Sequence, residues 1–245
     1  MENDRIAVLI PCRMESLRFP GKPLAPIHGI PMVVRCAQNA IKSGYKSYIC
    51  TDSRIVEQSA KLYGMPVMLT PKFETGTDRV AWASTKIAAE LIINLQGDEP
   101  LVNGEAINKF GEQCIKNCVD DSTILNGVCI LDPSKAFDPN NVKVAAGESG
   151  RIVYLSRKAV KSFDSEHGLC YVKQIGLYGF TKSALDKFSR MAQSPLEKSE
   201  KVEMLRWIES GNALLSCSLD CASVSVDTPE DLVEAEQILI NSQVL

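Results

Sequence analysis

The stretch that most restricts the fold is Ile6-Ala7-Val8-Leu9-Ile10, five apolar residues in a row closed by Pro11. A strand with no polar face has to be covered on both sides, and a parallel sheet with helices above and below it meets that condition. The chain then enters a loop carrying Arg13, Arg18 and Lys22. Open α/β sheets bind ligands beyond the carboxyl ends of their strands, so three cations are gathered where a polyphosphate can dock. Lys22 stands between Gly21 and Pro23, a turn setting that aims its charge. No G-x-G-x-x-G follows the strand, which argues against a dinucleotide-binding dehydrogenase. Gly21-Lys22 is not a Walker loop either, because proline stands where a magnesium-binding hydroxyl is needed.

The net charge of -3 makes any anion site local: a nucleic-acid binder acting through bulk charge needs a basic surface to displace counterions. The nine cysteines form no C-x-x-C pair. Their odd number, the lack of a signal pattern and the lack of a bilayer-length apolar run predict a cytoplasmic protein with no membrane partner. With His28 and His167 as the only histidines, a histidine-based triad or metal cage is not expected.

Along the chain, Pro31 opens an amphipathic helix that Gly44 ends, Tyr48 to Thr51 reads as a second strand, and Ser53 caps a helix to about Tyr63. Pro66 to Leu69 completes a strand-helix-strand-helix-strand unit with right-handed crossovers. In Glu74-Thr75-Gly76-Thr77-Asp78-Arg79, Thr77 reads as an N-cap of a helix reaching about Ala89, whose free amides can meet an anion or a base edge while Arg79 adds a charge. Leu91 to Leu95 is expected to be a central strand. It runs into Gln96-Gly97-Asp98, and a carboxylate just beyond a buried strand is a usual magnesium point in nucleotide-phosphate sites. A helix from Asn103 to Cys118, a strand from Ser122 to Leu131, a hairpin over 142–155 and a strand from Tyr171 to Phe180 follow. Ser194-Pro195-Leu196-Glu197 is a capping box leading into a helix through Ile208. Strand-like Ala213 to Cys217 and Ser223 to Val226 precede Thr228, which caps the last helix; Asp227 just before it reads as either a second metal ligand or a turn former. The fold class is therefore α/β, a doubly wound and mostly parallel sheet, in one domain over residues 1–245 with an antiparallel insertion at about 132–190.

The strings IPCRMESLRFPGKPL, TGTDR, LQGDEPL, FDPNNVKV, LSR, IGLYGF, SPLEKSE and VDTPEDL, in this order, resemble the CMP-Kdo synthetases, the 3-deoxy-manno-octulosonate cytidylyltransferases, whose fold is of the nucleotide-diphospho-sugar transferase type. The resemblance implies Mg²⁺-dependent transfer of CMP from CTP to the anomeric hydroxyl of a 3-deoxy sugar acid for lipopolysaccharide biosynthesis, with release of pyrophosphate, by a homodimer. It assigns Arg13, Lys22 and Asp98 to catalysis and Asp98 and Asp227 to Mg²⁺. Pro11, Cys12, Arg13, Lys22, Thr75, Gly76, Arg79 and Gln96 then fall on the nucleotide side. Arg18, Gln96, Arg157, Gln174, Glu197 and Glu203 fall on the sugar side. This chain has Cys12 where the family usually has alanine, Gln174 where it has histidine, and Glu203-Met204 where it has Glu-Gln. The departures at Gln174 and Met204 lie toward the sugar, so the expected acceptor is Kdo or a relative altered near its tail, such as an 8-amino analogue. Another acidic sugar, such as an acylneuraminate, and a non-catalytic nucleotide-binding module on the same fold are the alternatives.

Overall fold

A computed structural model describes residues 2–16 and 18–241. β1 (Ile6–Cys12) leads through the short ribbon of β2 (Pro26–Ile27) and β3 (Ile30–Pro31) into α1 (Met32–Lys42). Next come β4 (Lys46–Thr51), α2 (Arg54–Leu62), β5 (Val67–Leu69), α3 (Gly76–Ser84), β6 (Leu91–Leu95), α4 (Gly104–Asn117) and β7 (Thr123–Ile130). Two antiparallel pairs follow, β8 (Lys143–Ala146) with β9 (Ile152–Ser156) and β10 (Ser162–Asp164) with β11 (Gly168–Cys170). The chain closes with β12 (Val172–Thr181), α5 (Lys182–Arg190), α6 (Pro195–Glu200), α7 (Leu205–Glu209), β13 (Ala213–Ser218) and α8 (Pro229–Asn241).

The main sheet runs β13-β7-β12-β6-β1-β4-β5, with β8 and β9 added beside β12. Along that path β12 alone runs against its neighbours, while the pairs β1 with β4, β1 with β6, β4 with β5 and β7 with β13 are parallel. β1 shows why the sequence demands two covered faces. Ile6, Val8 and Ile10 pack with Val33, Val34, Ile107 and Phe110 of α1 and α4, whereas Ala7 and Leu9 pack with Val80, Phe188 and Trp207 of α3, α5 and α7. Alternate residues of one strand thus feed two separate cores. A third cluster joins Val224, Val226, Ala235 and Leu239 to Ile27 and Met32, and it seats α8 and the segment before it beside the loop that follows β1.

The doubly wound, mostly parallel sheet with an antiparallel part is as the sequence predicts, and four local expectations change. Pro11 does not end β1, which continues to Cys12; pairing with β6 stops at Leu9, so Pro11 has a strand neighbour on the β4 side only. α3 is capped by Thr75, whose hydroxyl accepts from Asp78 N at 3.1 Å, and not by Thr77, and it ends at Ser84. The capping box at Ser194 and Glu197 is present, yet Lys201 turns left-handed (φ 56°) and splits the expected helix into α6 and α7. Of the stretch expected as an insertion at about 132–190, β12 and α5 lie in the main layers and β8 and β9 extend the main sheet beside β12, which leaves β10 and β11 as a separate pair.

Candidate active site

Two carboxylates from distant parts of the chain meet across one ammonium group. Asp98 lies in the turn after β6 and Asp227 immediately before α8; Lys22 Nζ is 2.8 Å from Asp98 Oδ2 and 2.9 Å from Asp227 Oδ1. The other oxygen of Asp227 is 2.8 Å from Arg18 Nη2. Thr228 caps α8 by accepting from Asp231 N, and the Asp231 carboxylate accepts from the amides of Asp227 and Thr228, so the backbone that carries Asp227 is tied at both ends. Burial works to lower the Lys22 pKa, but Asp98 and Asp227 outweigh it and hold the ammonium above the ordinary lysine value. Burial likewise works to raise the Asp227 carboxyl, and Lys22, then Arg18, bring it below the ordinary carboxylate range.

Residues 223–226 form a strap built on a period of two. Val224 and Val226 are buried in the α8 cluster, while Ser223 Oγ (3.0 Å) and Ser225 Oγ donate to Glu99. Glu99 is 1% exposed and also accepts from Gly176 N at 2.8 Å; burial, opposed by the charge of Lys173, raises its pKa. Lys173 Nζ donates to Ser223 O at 2.7 Å, and Val226 N donates to Asp98 O at 2.9 Å. The strap is therefore stitched to the turn after β6, which brings Asp227 to Asp98.

On the expected nucleotide side, Pro11, Gly76 and Gln96 pack together. A Cβ at Gly76 would stand 3.2 Å from Gln96 Oε1 and 3.3 Å from Pro11 Cγ, so the absence of a side chain there admits both neighbours. Arg13 Nη1 donates to Glu74 O at 3.0 Å and joins the end of β1 to the loop that precedes Thr75 and α3. Cys12 is buried beneath this region, and burial pushes its thiol up to about 12, which makes it a packing residue and not a nucleophile. Arg79 is enclosed by the protein. It is 2% exposed and bonds Asp52 Oδ2 at 3.1 Å, the Thr70 hydroxyl and Pro71 O at 3.3 Å, because its position on α3 faces the β4–β5 edge.

A polar cleft opens over the carboxyl edge of β6 and is lined by Gln96, Asp98, Arg157, Gln174, Tyr178 and Asp227 among others. Arg157 donates to Pro139 O (2.7 Å) and Glu200 O (2.8 Å), and Lys143, wholly buried, donates to Asp138 O, Asn141 O and Arg157 O at 2.6 to 2.8 Å. These two cations hold the 138–141 loop at the cleft wall. Gln174 Nε2 donates to buried Asn126 Oδ1 at 2.8 Å. Glu197 does not reach the cleft: it is 4% exposed and forks onto Arg206, Oε2 lying 2.7 Å from Nε. Glu203 Oε2 accepts from Thr77 Oγ1 at 2.5 Å. Burial raises the Glu203 pKa, the Thr77 bond and Arg206 oppose this, and Asp78, whose Oδ1 is buried without a hydrogen-bond partner, adds to the rise.

Glu99, Lys173, Asn94 and Thr77 were not singled out from the sequence as site residues. The signal was present as polar residues inside apolar strands, Asn94 in Leu-Ile-Ile-Asn-Leu and Lys173 in Val-Lys-Gln-Ile. Such residues are retained in a core only where partners satisfy them.

An open sheet whose carboxyl edge sets a lysine and two carboxylates over a polar cleft is that of a nucleotide-handling α/β transferase. The chain belongs to the cytidylyltransferase family: the family profile described as Cytidylyltransferase matches residues 7–216. It is 39% identical over 233 residues to the 3-deoxy-manno-octulosonate cytidylyltransferase of Nitratiruptor sp., covering 92% of this chain and 96% of that protein. It is 35% identical to the protein of the same name from Geobacter metallireducens, covering 98% and 100%. Among solved structures it resembles CMP:2-keto-3-deoxy-manno-octonic acid synthetase complexed with CTP, with a TM-score of 0.86 and 26% identity over 97% of this chain and 99% of that one.

Proposed function

We propose that the chain transfers CMP from CTP to the anomeric hydroxyl of 3-deoxy-manno-octulosonate or a close analogue and releases pyrophosphate, in the cytoplasm, for lipopolysaccharide biosynthesis. The observation that carries this reading is the meeting of Asp98 and Asp227 across Lys22 at the mouth of a polar cleft, in a chain whose relatives bear that enzyme's name. In such a transfer the hydroxyl attacks the α-phosphorus in line with departing pyrophosphate, and negative charge grows on the non-bridging and leaving oxygens. Positioning and charge neutralisation then supply most of the rate, and no side-chain nucleophile is required. Lys22, Arg13 and Arg18 lie on the loop that can meet the phosphates. Gln174, Arg157 and the 138–141 loop wall the side on which the acceptor sits.

The donor set at Asp98 and Asp227 fits Mg²⁺. Among the described residues no group of three or more His, Cys, Asp or Glu is placed to hold a metal. Two carboxylates converging on a cation, each about a quarter exposed (28% and 24%), match the ion's habit of taking one or two carboxylates and completing its shell with water and substrate phosphate. When bound, Mg²⁺ would neutralise phosphate charge and lower the pKa of the attacking hydroxyl. With Asp98 and Asp227 holding the ion, Lys22 would be available to the triphosphate.

The family resemblance supports assembly as a homodimer. Val153 (61% exposed) and Leu169 (70%) leave apolar surface on β9 and β11, whereas Ile175, Leu177 and Phe180 of β12 are consumed by the chain's own core. Sedimentation equilibrium should return twice the chain mass; the single-chain mass overturns the dimer. For the activity, pyrophosphate release should require CTP rather than UTP or GTP and should be fast with Kdo or its 8-amino analogue, whichever the cleft prefers. A strong preference for N-acetylneuraminate, or no release with any acceptor, sinks the assignment.

A further inference from the structure

Gln96 is held by a line of hydrogen bonds that runs away from the cleft into the core. Its Nε2 donates to Asn94 Oδ1 (3.2 Å), Asn94 Nδ2 donates to Thr77 Oγ1 (3.4 Å), and the Thr77 hydroxyl donates to Glu203 Oε2 (2.5 Å). The direction of this line is set from its far end. An ionised Glu203 can only accept, so Thr77 then gives its proton to Glu203; the Thr77 oxygen needs a donor, which the amide nitrogen of Asn94 supplies, and the Asn94 oxygen in turn takes the amide nitrogen of Gln96. Asn94 is 0% and Thr77 1% exposed, so water cannot substitute at either link. What remains is Gln96 Oε1, an acceptor beside Pro11 and Gly76.

The place of Gln96 is built as carefully as its orientation. A Cβ at Gly176 would stand 2.9 Å from both Cβ and Cγ of Gln96, and one at Gly76 would stand 3.2 Å from Oε1, so the side chain is seated between two backbones that carry nothing of their own. A carbonyl oxygen repels phosphate and attracts a donor, and Arg18 and Lys22 of the loop after β1 lie toward Asp98 and Asp227 instead. The group that suits this oxygen belongs to the nucleoside half of the ligand.

We propose that Thr77 and Asn94 are positioning residues that fix the Gln96 carbonyl, beside Pro11 and Gly76, as a hydrogen-bond acceptor for a donor on the nucleoside, either a ribose hydroxyl or the base amino group. The inference rests on the cytidylyl-transfer reading. Its test is steady-state kinetics with CTP, 2′- and 3′-deoxy-CTP and UTP on the wild type, Thr77→Val and Thr77→Ser. Thr77→Val keeps the shape but removes the hydroxyl, and should raise KM for CTP about tenfold, the size of one lost neutral hydrogen bond, with a smaller change in kcat. Thr77→Ser, which restores the hydroxyl, should restore KM. Loss in Thr77→Val of the preference over a deoxy nucleotide identifies a ribose hydroxyl as the donor, and loss of the preference over UTP identifies the amino group. An unchanged KM, a rise that leaves every preference intact, or an equal rise in Thr77→Ser overturns the proposal. If Thr77→Val does not fold, Asn94→Leu, which removes the oxygen that accepts from Gln96 Nε2, carries the same expectations for KM and for the nucleotide preferences. A wild type that releases no pyrophosphate from CTP would instead defeat the underlying reading.

Discussion

Lys22 divides one positive charge between two carboxylates, and this gives the ligand-free protein a defined response to acid. Asp227 has a lowered pKa, so its stabilising contribution is present above about pH 4, the ordinary carboxyl value, and is lost as pH falls through the lowered one. Lys22 has a raised pKa, so its contribution is present below the ordinary lysine value and is lost only as pH rises through the raised one. Melting temperatures measured between about pH 3 and 6 should therefore fall less steeply for Lys22→Met than for the wild type; identical slopes would show that the ammonium does not govern Asp227. Lys22→Ala and Asp98→Asn should each reduce kcat on the order of a hundredfold or more in a folded protein, the first by removing a positive charge that would meet the developing phosphate charge and the second by removing a carboxylate that would hold Mg²⁺. Residues of this kind were legible because charge at a strand end has few structural uses. The burial of Arg79 was not legible: its partner Asp52 lies a helix and a strand earlier in the chain, out of reach of the T-G-T-D-R string.

Between elements, the joint of α6 and α7 depends on a buried ion pair. Glu197 grips Arg206 with both side chains 4% exposed, and the same Glu197 closes the capping box on Ser194. Removing one partner leaves an uncompensated buried charge, so Glu197→Ala should cost about 3 to 5 kcal/mol of stability in a denaturant titration. The Michaelis constant for the sugar acid should not move, because Glu197 does not line the cleft; a selective rise in that constant would return it to the sugar side. The capping box itself was readable, as a fixed spacing of residue types with one physical outcome. The break after it was not, because a lysine in the left-handed region carries no mark in the sequence.

For the molecule as a whole, the alternation of apolar runs with capped helices was enough to predict an open α/β sheet, with β1 covered on both faces and β6 central. The direction of β12 is a different matter, since a strand buried between neighbours has the same composition whichever way it runs, and only the length of its connections distinguishes the two. The nine cysteines test the packing that results. All are free; seven are buried, and Cys170 and Cys221 are partly exposed, with burial raising both of those thiols as well. Near neutral pH an aromatic disulfide reagent should label at most those two quickly, against all nine after denaturation, because the thiolate is the reactive form; rapid labelling of more than two would mean looser cores than described. The reversed strand also sets where the cleft can be remodelled. Elsewhere its rim is made of connections, 138–141 and 223–226, which can lengthen or shorten without disturbing the strands beneath. At Gln174, Gly176 and Tyr178 the rim is β12 itself, where one inserted residue would exchange the inward and outward sides of everything downstream. New acceptor specificities in this architecture should therefore arise by replacing residues on that wall and by resizing the loops opposite it.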